Sequence, residues 1–362
     1  MRIAILHYTL PPVIGGVERV IRDQAMALWH LGHEVVCLEC PEDFQAWLKS
    51  TEASGPDFRA GDLRAVLIHN VMTMPFNLTW TRELQAQAAE HPEIRWVNWV
   101  HDVCAVNPAY AHVHWQEPVP PMIHVAVSEQ RRQDFAKATG LPPESIRVLP
   151  NGIDLAAVLG LSSRMAALPL MNRGLVLIHP TRLVRRKNIE LGLRVTAALA
   201  AAGCDVAYAI TGAPDPHQAD GVAYHAQLKA LAEDLGITAQ VLFLGEEGPL
   251  NDDDVRSLYA LGDALFFPST GEGFGLPLIE AVAHRLPVFC SDLAVHREVL
   301  GAAGHYFALE AAPAQISAQI MRWLSTSQPT RHRKLLRQTH DMVRICQEHL
   351  EPLLLTANES AS

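Results

Sequence analysis

The feature that most constrains this chain is an end-to-end alternation of short apolar runs with stretches of helical periodicity. Strand candidates in the first half are Ile3–His7, Val35–Leu38, Ala65–Ile68, Arg95–Val100 and His124–Val127, with helical patterns over Val17–Leu31 and Leu78–Glu90. The second half repeats the scheme with "GLVLIHP" (174–180), "DVAYAIT" (205–211), "QVLFLG" (240–245), "DALFFPS" (263–269) and "LPVFCS" (286–291). Helical patterns near 189–202, 222–236, 252–262, 276–284 and 314–325 separate these runs. Strands that are apolar throughout have to be covered on both faces, which parallel sheets flanked by helices achieve. Two such series imply two doubly wound α/β domains, and 362 residues suit two cores.

The segment "PNGIDLAAVLGLSSRMAALPLMNRG" (150–174) reads as the junction. The expected domains are 1–160 and 172–328, with 329–362 a C-terminal helix and tail crossing back to the first. Arg331, Arg333, Lys334 and Arg337 read as the solvated face of that helix, and "TANESAS" as a frayed end.

Hydrophobic residues at 49% and charged residues at 19% are a globular composition. A net charge of −10 argues against a nucleic-acid binder, which needs a basic face to neutralise phosphates, and against tight docking on an anionic membrane. The opening "MRIAILHYTLPPVIGG" is too short and too interrupted for a signal peptide or a transmembrane segment, so a cytoplasmic location is expected. Six cysteines in this length are not a disulfide framework. "CLEC" (37–40) has metal-like spacing, but on a strand residues three apart face opposite sides, so core cysteines are expected.

Three loops could carry chemistry. After the first strand, Gly15-Gly16 opens a helix whose free N–H groups favour an anion; a plain loop glycine pair fits equally well. In "HPTRLVRRKNIELGL", Arg182, Arg185, Arg186 and Lys187 stand ahead of a helix start, the end that disfavours positive charge. Cations gathered there make sense if an anion is to be held, through a forked arginine and a point-charge lysine; Arg185 and Arg186 also read as a solvated basic loop. The third is "TGEGFGLPLIEA", a glycine-rich loop at the carboxyl end of a buried strand, where open α/β sheets place ligands. Gly273, Phe274, Gly275 and Leu276 can turn N–H groups to a phosphate. Glu280 could hold ribose hydroxyls and Glu272 a second sugar, the plainer readings being an exposed helix carboxylate for Glu280 and a turn residue for Glu272. "NDDDVR" (251–256) reads as an asparagine cap with acids in a first helical turn, and "HVH" (112–114) lacks an evident third ligand, so no metal site is expected.

Glu272 and Glu280 form the EX7E spacing, and the chain resembles retaining nucleotide-sugar glycosyltransferases of the GT-B fold, family 4 (glycosyltransferase group 1). The resemblance runs through "GGVER", "HD" (101–102), "VS" (127–128), "LPNGID" (149–154), "TRLVRRKN" and "EGFGLPLIEA". It implies two Rossmann-like domains with a deep cleft between them and a UDP- or GDP-sugar as donor. A hexosyl group would pass, with retention and without a metal or other cofactor, to a sugar, polyol or glycan hydroxyl. It also implies that Gly16 approaches the donor diphosphate and that Arg182 and Lys187 neutralise it. Glu272 would engage the transferred sugar, Phe274, Gly275 and Leu276 would lend backbone donors, and Glu280 would bind the ribose. His101 would face the donor sugar, the other reading being a core histidine paired with Asp102. Thr181 departs from the family pattern, which often has glycine there, and should crowd its loop. A nucleotide-sugar epimerase or a non-catalytic binder of the same fold is the alternative. Acceptor contacts are expected from loops 69–80 and 102–115, with Trp80 and Trp115 as stacking candidates, hydrophobic packing being the commoner fate of a tryptophan.

Overall fold

The computed structural model describes residues 1–39, 63–110, 122–212 and 221–355. It divides into two units, one of Met1–Leu155 with Gln338–Ser362, the other of Ala156–Arg337. The first holds strands β1 (Arg2–His7), β2 (Glu34–Glu39), β3 (Leu63–His69), β4 (Arg95–Val100), β5 (Ile123–Ala126) and β6 (Ile146–Val148). The second holds β7 (Leu175–His179), β8 (Val206–Ile210), β9 (Val241–Phe243), β10 (Ala264–Phe267), β11 (Val288–Ser291) and β12 (Gly304–Phe307). Sheet orders are β2-β1-β3-β4-β5-β6 and β12-β11-β10-β7-β8-β9, with parallel pairing throughout. These are the two doubly wound Rossmann-like units expected of the GT-B fold.

The continuous apolar runs are explained by two-sided burial. In β1, Ile3 and Ile5 pack with Leu67, Trp99 and helix Gly16–His30 through Ile21 and Leu28. Ala4 and Leu6 turn to the opposite layer, where helix Leu78–Glu90 contributes Trp80 and Leu84. In β7, Leu175 and Leu177 face helix Ile189–Ala201, whereas Val176 and Ile178 meet Leu258, Leu278 and Ala281. The side-chain alternation of a strand thus serves two cores at once. Met342, Cys346, Leu350, Leu353 and Leu354, from the helical run that closes the chain, join the first of these layers.

The expected boundary at 328/329 differs from the structural one at 337/338, because helix Gln328–Thr339 is held to the second unit by Arg337. Its guanidinium lies 3.5 Å from Asp263 and donates to the Leu261 carbonyl at 3.1 Å. Arg333 approaches the same carboxylate at 3.7 Å. The expected solvated face therefore fails at Arg337, which is buried; the sequence does not show that a buried aspartate waits for it.

Candidate active site

In the second sheet the chain runs from β7 to β8 and β9, then crosses so that β10 pairs on the other side of β7. Such a switch point opens a crevice beyond the carboxyl ends of the two strands, here filled by the loops 180–188 and 268–275. Arg182, Lys187, Glu272, Gly273, Phe274 and Gly275 lie in those loops, and Leu276 and Glu280 in the helix Leu276–Ala283 that follows.

The cationic loop closes in a tight turn at Arg185–Lys187, and Asn188 then takes a left-handed conformation, φ 50°, before helix Ile189–Ala201. That turn drives Lys187 inward. Its ammonium is buried, 4.8 Å from the Phe267 ring centre, and forms a short ion pair with Glu272. Arg186 joins the same carboxylate at 3.1 Å and the Gly271 carbonyl at 3.1 Å. Arg185 instead bonds Gln227 and covers Tyr224, so of the two only Arg186 turns to the glutamate. Burial alone would raise the Glu272 pKa, but the Lys187 ammonium and the Arg186 guanidinium outweigh it and hold the carboxyl below its usual range.

Arg182 is exposed. With Thr181, Arg186, Lys187 and Gly212 it lines a hollow of about 450 Å³. Gly212, in the loop after β8, packs close against this turn: a Cβ on it would come within 2.5 Å of the Thr181 carbonyl. The Thr181 N–H is meanwhile taken by Thr211 Oγ1 at 2.8 Å.

Gly275 caps helix Leu276–Ala283 at φ 90°, a conformation that favours glycine. Gly273, Phe274 and Leu276 are exposed beside it, and no side chain caps this helix start. Glu280 is exposed and accepts from the Tyr259 hydroxyl at 2.6 Å, Tyr259 itself stacking on His284. A larger hollow of about 830 Å³ lies at β9, the far edge of the sheet, where Lys229 is already paired with Glu246. Arg164, which also lines it, donates to the Leu244 and Gly248 carbonyls at 2.6 and 3.2 Å.

The switch point of the first sheet falls between β1 and β3, and His7, His69 and His101 gather at that end. The His7 Nδ1–H donates to the His69 carbonyl at 2.8 Å. With neutral rings a chain closes in one direction: Asn151 donates to His101 Nδ1 at 3.3 Å, His101 Nε2–H to His69 Nδ1 at 2.8 Å, and His69 Nε2–H to Gln24 at 3.0 Å. His101 is therefore partnered by His69 and Asn151, not by Asp102, which lies 3.9 Å from Arg131. Burial, with His7 nearby, pushes His101 down to about 3.

At the start of helix Gly16–His30, Gly16 is exposed, while Gly15 makes room for the Glu18 carboxylate, which accepts from Thr9 at 2.6 Å. A carboxylate of the chain itself thus sits at this helix start. Trp80, expected as a stacking candidate, is buried at 2% exposure against Tyr8.

These buried imidazoles make stability depend on pH. Burial also lowers His179 to about 3 and His69 well below its usual value, while an unfolded histidine titrates near about 6.5. Below that value the unfolded chain binds more protons than the folded one, so stability is full above pH ~6.5 and falls as pH drops toward 3. The thermal midpoint should decline from pH ~7.5 to ~5, before most carboxylates titrate; a flat or rising midpoint would contradict the buried neutral rings.

Asn251 caps helix Asp252–Leu261 in a reciprocal capping box with Asp254, as the sequence suggests. Among the described residues no group of three or more His, Cys, Asp and Glu could hold a metal. Cys37, Cys104, Cys204, Cys290 and Cys346 are free thiols. Cys40, "HVH" (112–114), Trp115 and the tail from residue 356 lie outside the described residues. No helix among those described is long and apolar enough to cross a membrane.

The second unit is thus a doubly wound domain with a cationic, glycine-rich, carboxylate-bearing crevice at its switch point. Residues 165–338 match the family model for glycosyl transferases group 1, and this unit belongs to that family. Among curated relatives, the serotype-specific mannosyltransferase WbdA of Escherichia coli is 41% identical over 83 residues, 23% of this chain and 10% of that protein. A D-inositol 3-phosphate glycosyltransferase of Mycobacterium sp. (strain KMS) is 30% identical over 254 residues, 64% of this chain and 54% of that protein. The matches span less than two thirds of these relatives. Among solved structures, Anabaena Alr3699/HepE in complex with UDP and glucose is 19% identical, with 98% of this chain and 99% of that one covered and a TM-score of 0.39.

Proposed function

We propose that the chain is a glycosyltransferase that moves a hexosyl group from a UDP- or GDP-sugar to a hydroxyl acceptor, with retention and without a metal. The observation that carries this reading is the junction of Lys187 with Glu272 at a switch point that also presents Arg182 and the uncapped start of helix Leu276–Ala283. Breaking a sugar–phosphate bond leaves negative charge on the diphosphate, and cations with helix-start amides fixed in place stabilise it without reorganising. They supply the charge that a metal would otherwise bring.

In this reading Arg182 and Lys187 hold the diphosphate with the N–H groups of Gly273, Phe274, Gly275 and Leu276. Glu272, paired with Lys187, binds the sugar and stabilises positive character at the anomeric carbon. It is not the nucleophile; attack comes from the leaving-group face, with a donor phosphate oxygen taking the acceptor proton. Glu280 holds the ribose hydroxyls. Gly16 and His101 are assigned to the donor diphosphate and sugar respectively, and a cytoplasmic location belongs to the same reading.

Glu280→Ala should weaken donor binding roughly 10- to 100-fold, the worth of a charged hydrogen bond, and leave kcat nearly unchanged. A fall in kcat at unchanged KM would remove Glu280 from the ribose. The reading as a whole is tested by incubating the protein with labelled UDP-, GDP- and ADP-sugars and a panel of sugar acceptors, then reading the product's anomeric configuration by NMR. Retained configuration and full activity in EDTA are expected. Inversion, or an EDTA loss restored by magnesium or manganese, would overturn the mechanism.

A further inference from the structure

At the carboxyl end of the first sheet, three aromatic rings meet. Phe76, in the loop after β3, stands edge-on to Tyr8 at 5.1 Å and to Tyr110 at 5.6 Å between ring centres. Tyr8 is fixed from beneath: its hydroxyl donates to the Met74 carbonyl at 2.9 Å, and its ring packs on buried Trp80. Phe76 nonetheless remains 56% exposed. A large ring, rigidly supported yet open to solvent at a switch-point crevice, is what a stacking ligand requires.

The charge around it narrows the ligand. No lysine or arginine occurs in residues 8–16, 70–77 or 101–110, described segments that follow β1, β3 and β4. Among the described residues the carboxylates at this end are Glu18 at the helix start and Asp102, whose side chain is 57% exposed and 3.9 Å from Arg131, while Arg19 in the first helical turn lies 3.8 Å from Asp23. Arg131 is already held by Asp134 at 3.2 Å. A pyranose offers an apolar C–H face to a ring and hydroxyl donors to a carboxylate.

We propose that Phe76, supported by Tyr8 and Tyr110, is a binding platform for an uncharged sugar ring in preference to a phosphorylated polyol. Calling this sugar the acceptor rests on the glycosyltransferase reading; the binding itself does not. Because Phe76 is half exposed, its truncation leaves the fold intact, which a thermal melt confirms.

The test is ligand-observed NMR without donor, using methyl glycosides of mannose, glucose and galactose, inositol phosphate, and uridine as separate probes. At least one methyl glycoside should bind, with affinity reduced about 10-fold in Phe76→Ala, on the scale of one lost aromatic contact, and restored in Phe76→Trp. Inositol phosphate binding more tightly than every glycoside, unchanged glycoside affinity in Phe76→Ala, or uridine binding that Phe76→Ala abolishes would each overturn the proposal. Donor hydrolysis by the unaltered protein separates the two readings. Glycoside binding through Phe76 without hydrolysis of any nucleotide sugar retains the platform and removes the enzyme, and hydrolysis without glycoside binding does the reverse.

Discussion

Lys187→Ala should lower kcat/KM for sugar transfer by on the order of 10²- to 10³-fold, the loss typical when one fixed charge-stabilising group is removed from a reacting site. Most of the loss belongs in kcat, because the lysine's charge matters most as the diphosphate leaves, whereas both ground state and transition state carry the rest of the donor. A second effect adds to the first. Glu272 has a side chain only 7% exposed, and Lys187 is foremost among the partners that hold its carboxyl below the usual range. Without the ammonium the carboxyl loses its strongest partner, so its pKa should rise and the variant's activity should shift toward higher pH. Arg182→Ala should also depress turnover; being exposed, Arg182 should leave the thermal midpoint unchanged. Steady-state kinetics over pH separate these effects. Unaltered kinetics in both variants would mean that the crevice is wrongly located.

Asp263→Ala should be the most damaging change to stability, about 3–5 kcal/mol, as expected when one partner of a buried charge network is deleted. Asp263 sits just before β10, on the opposite end of the sheet from the crevice. One carboxylate oxygen accepts from the Val176 N–H at 2.9 Å, and the other faces Arg337 at 3.5 Å. Removing it strands a guanidinium that is itself only 3% exposed. The transition of this unit should drop by roughly 10 °C, followed by calorimetry. Donor affinity at temperatures where the variant remains folded should be unchanged, because the two sites occupy opposite ends of the strands. A midpoint within a degree or two of the unaltered protein would show that Asp263 and Arg337 are solvated.

Interior strands such as Ile3–His7 and Leu175–His179 are legible because burial on both faces leaves an uninterrupted apolar run. The edge strands Ile146–Val148 and Gly304–Phe307 are not: one carries exposed Arg147, the other begins with glycine and histidine. Helix Glu129–Thr139 buries only Phe135 and Ala136, too little to leave an apolar stripe. The candidate site divides in the same way. Cations bunched before a helix and glycines before Leu276 are local signals. The pairings are not local, since Lys187 and Glu272 are 85 residues apart and His69 and His101 are 32 apart. Only the sheet order brings them together. Of the two stacking candidates, Trp80 takes the commoner fate of a tryptophan: the helix that carries it turns it into the core and leaves Phe76 outside.

Titration calorimetry with UDP, GDP and ADP tests the central claim most directly, because a diphosphate held by Arg182 and Lys187 requires no acceptor to be known. At least one of these nucleotides should bind the unaltered protein in the presence of EDTA and should lose most of its affinity in the Arg182→Ala/Lys187→Ala double variant. Equal binding by both proteins, or none by either, would contradict it.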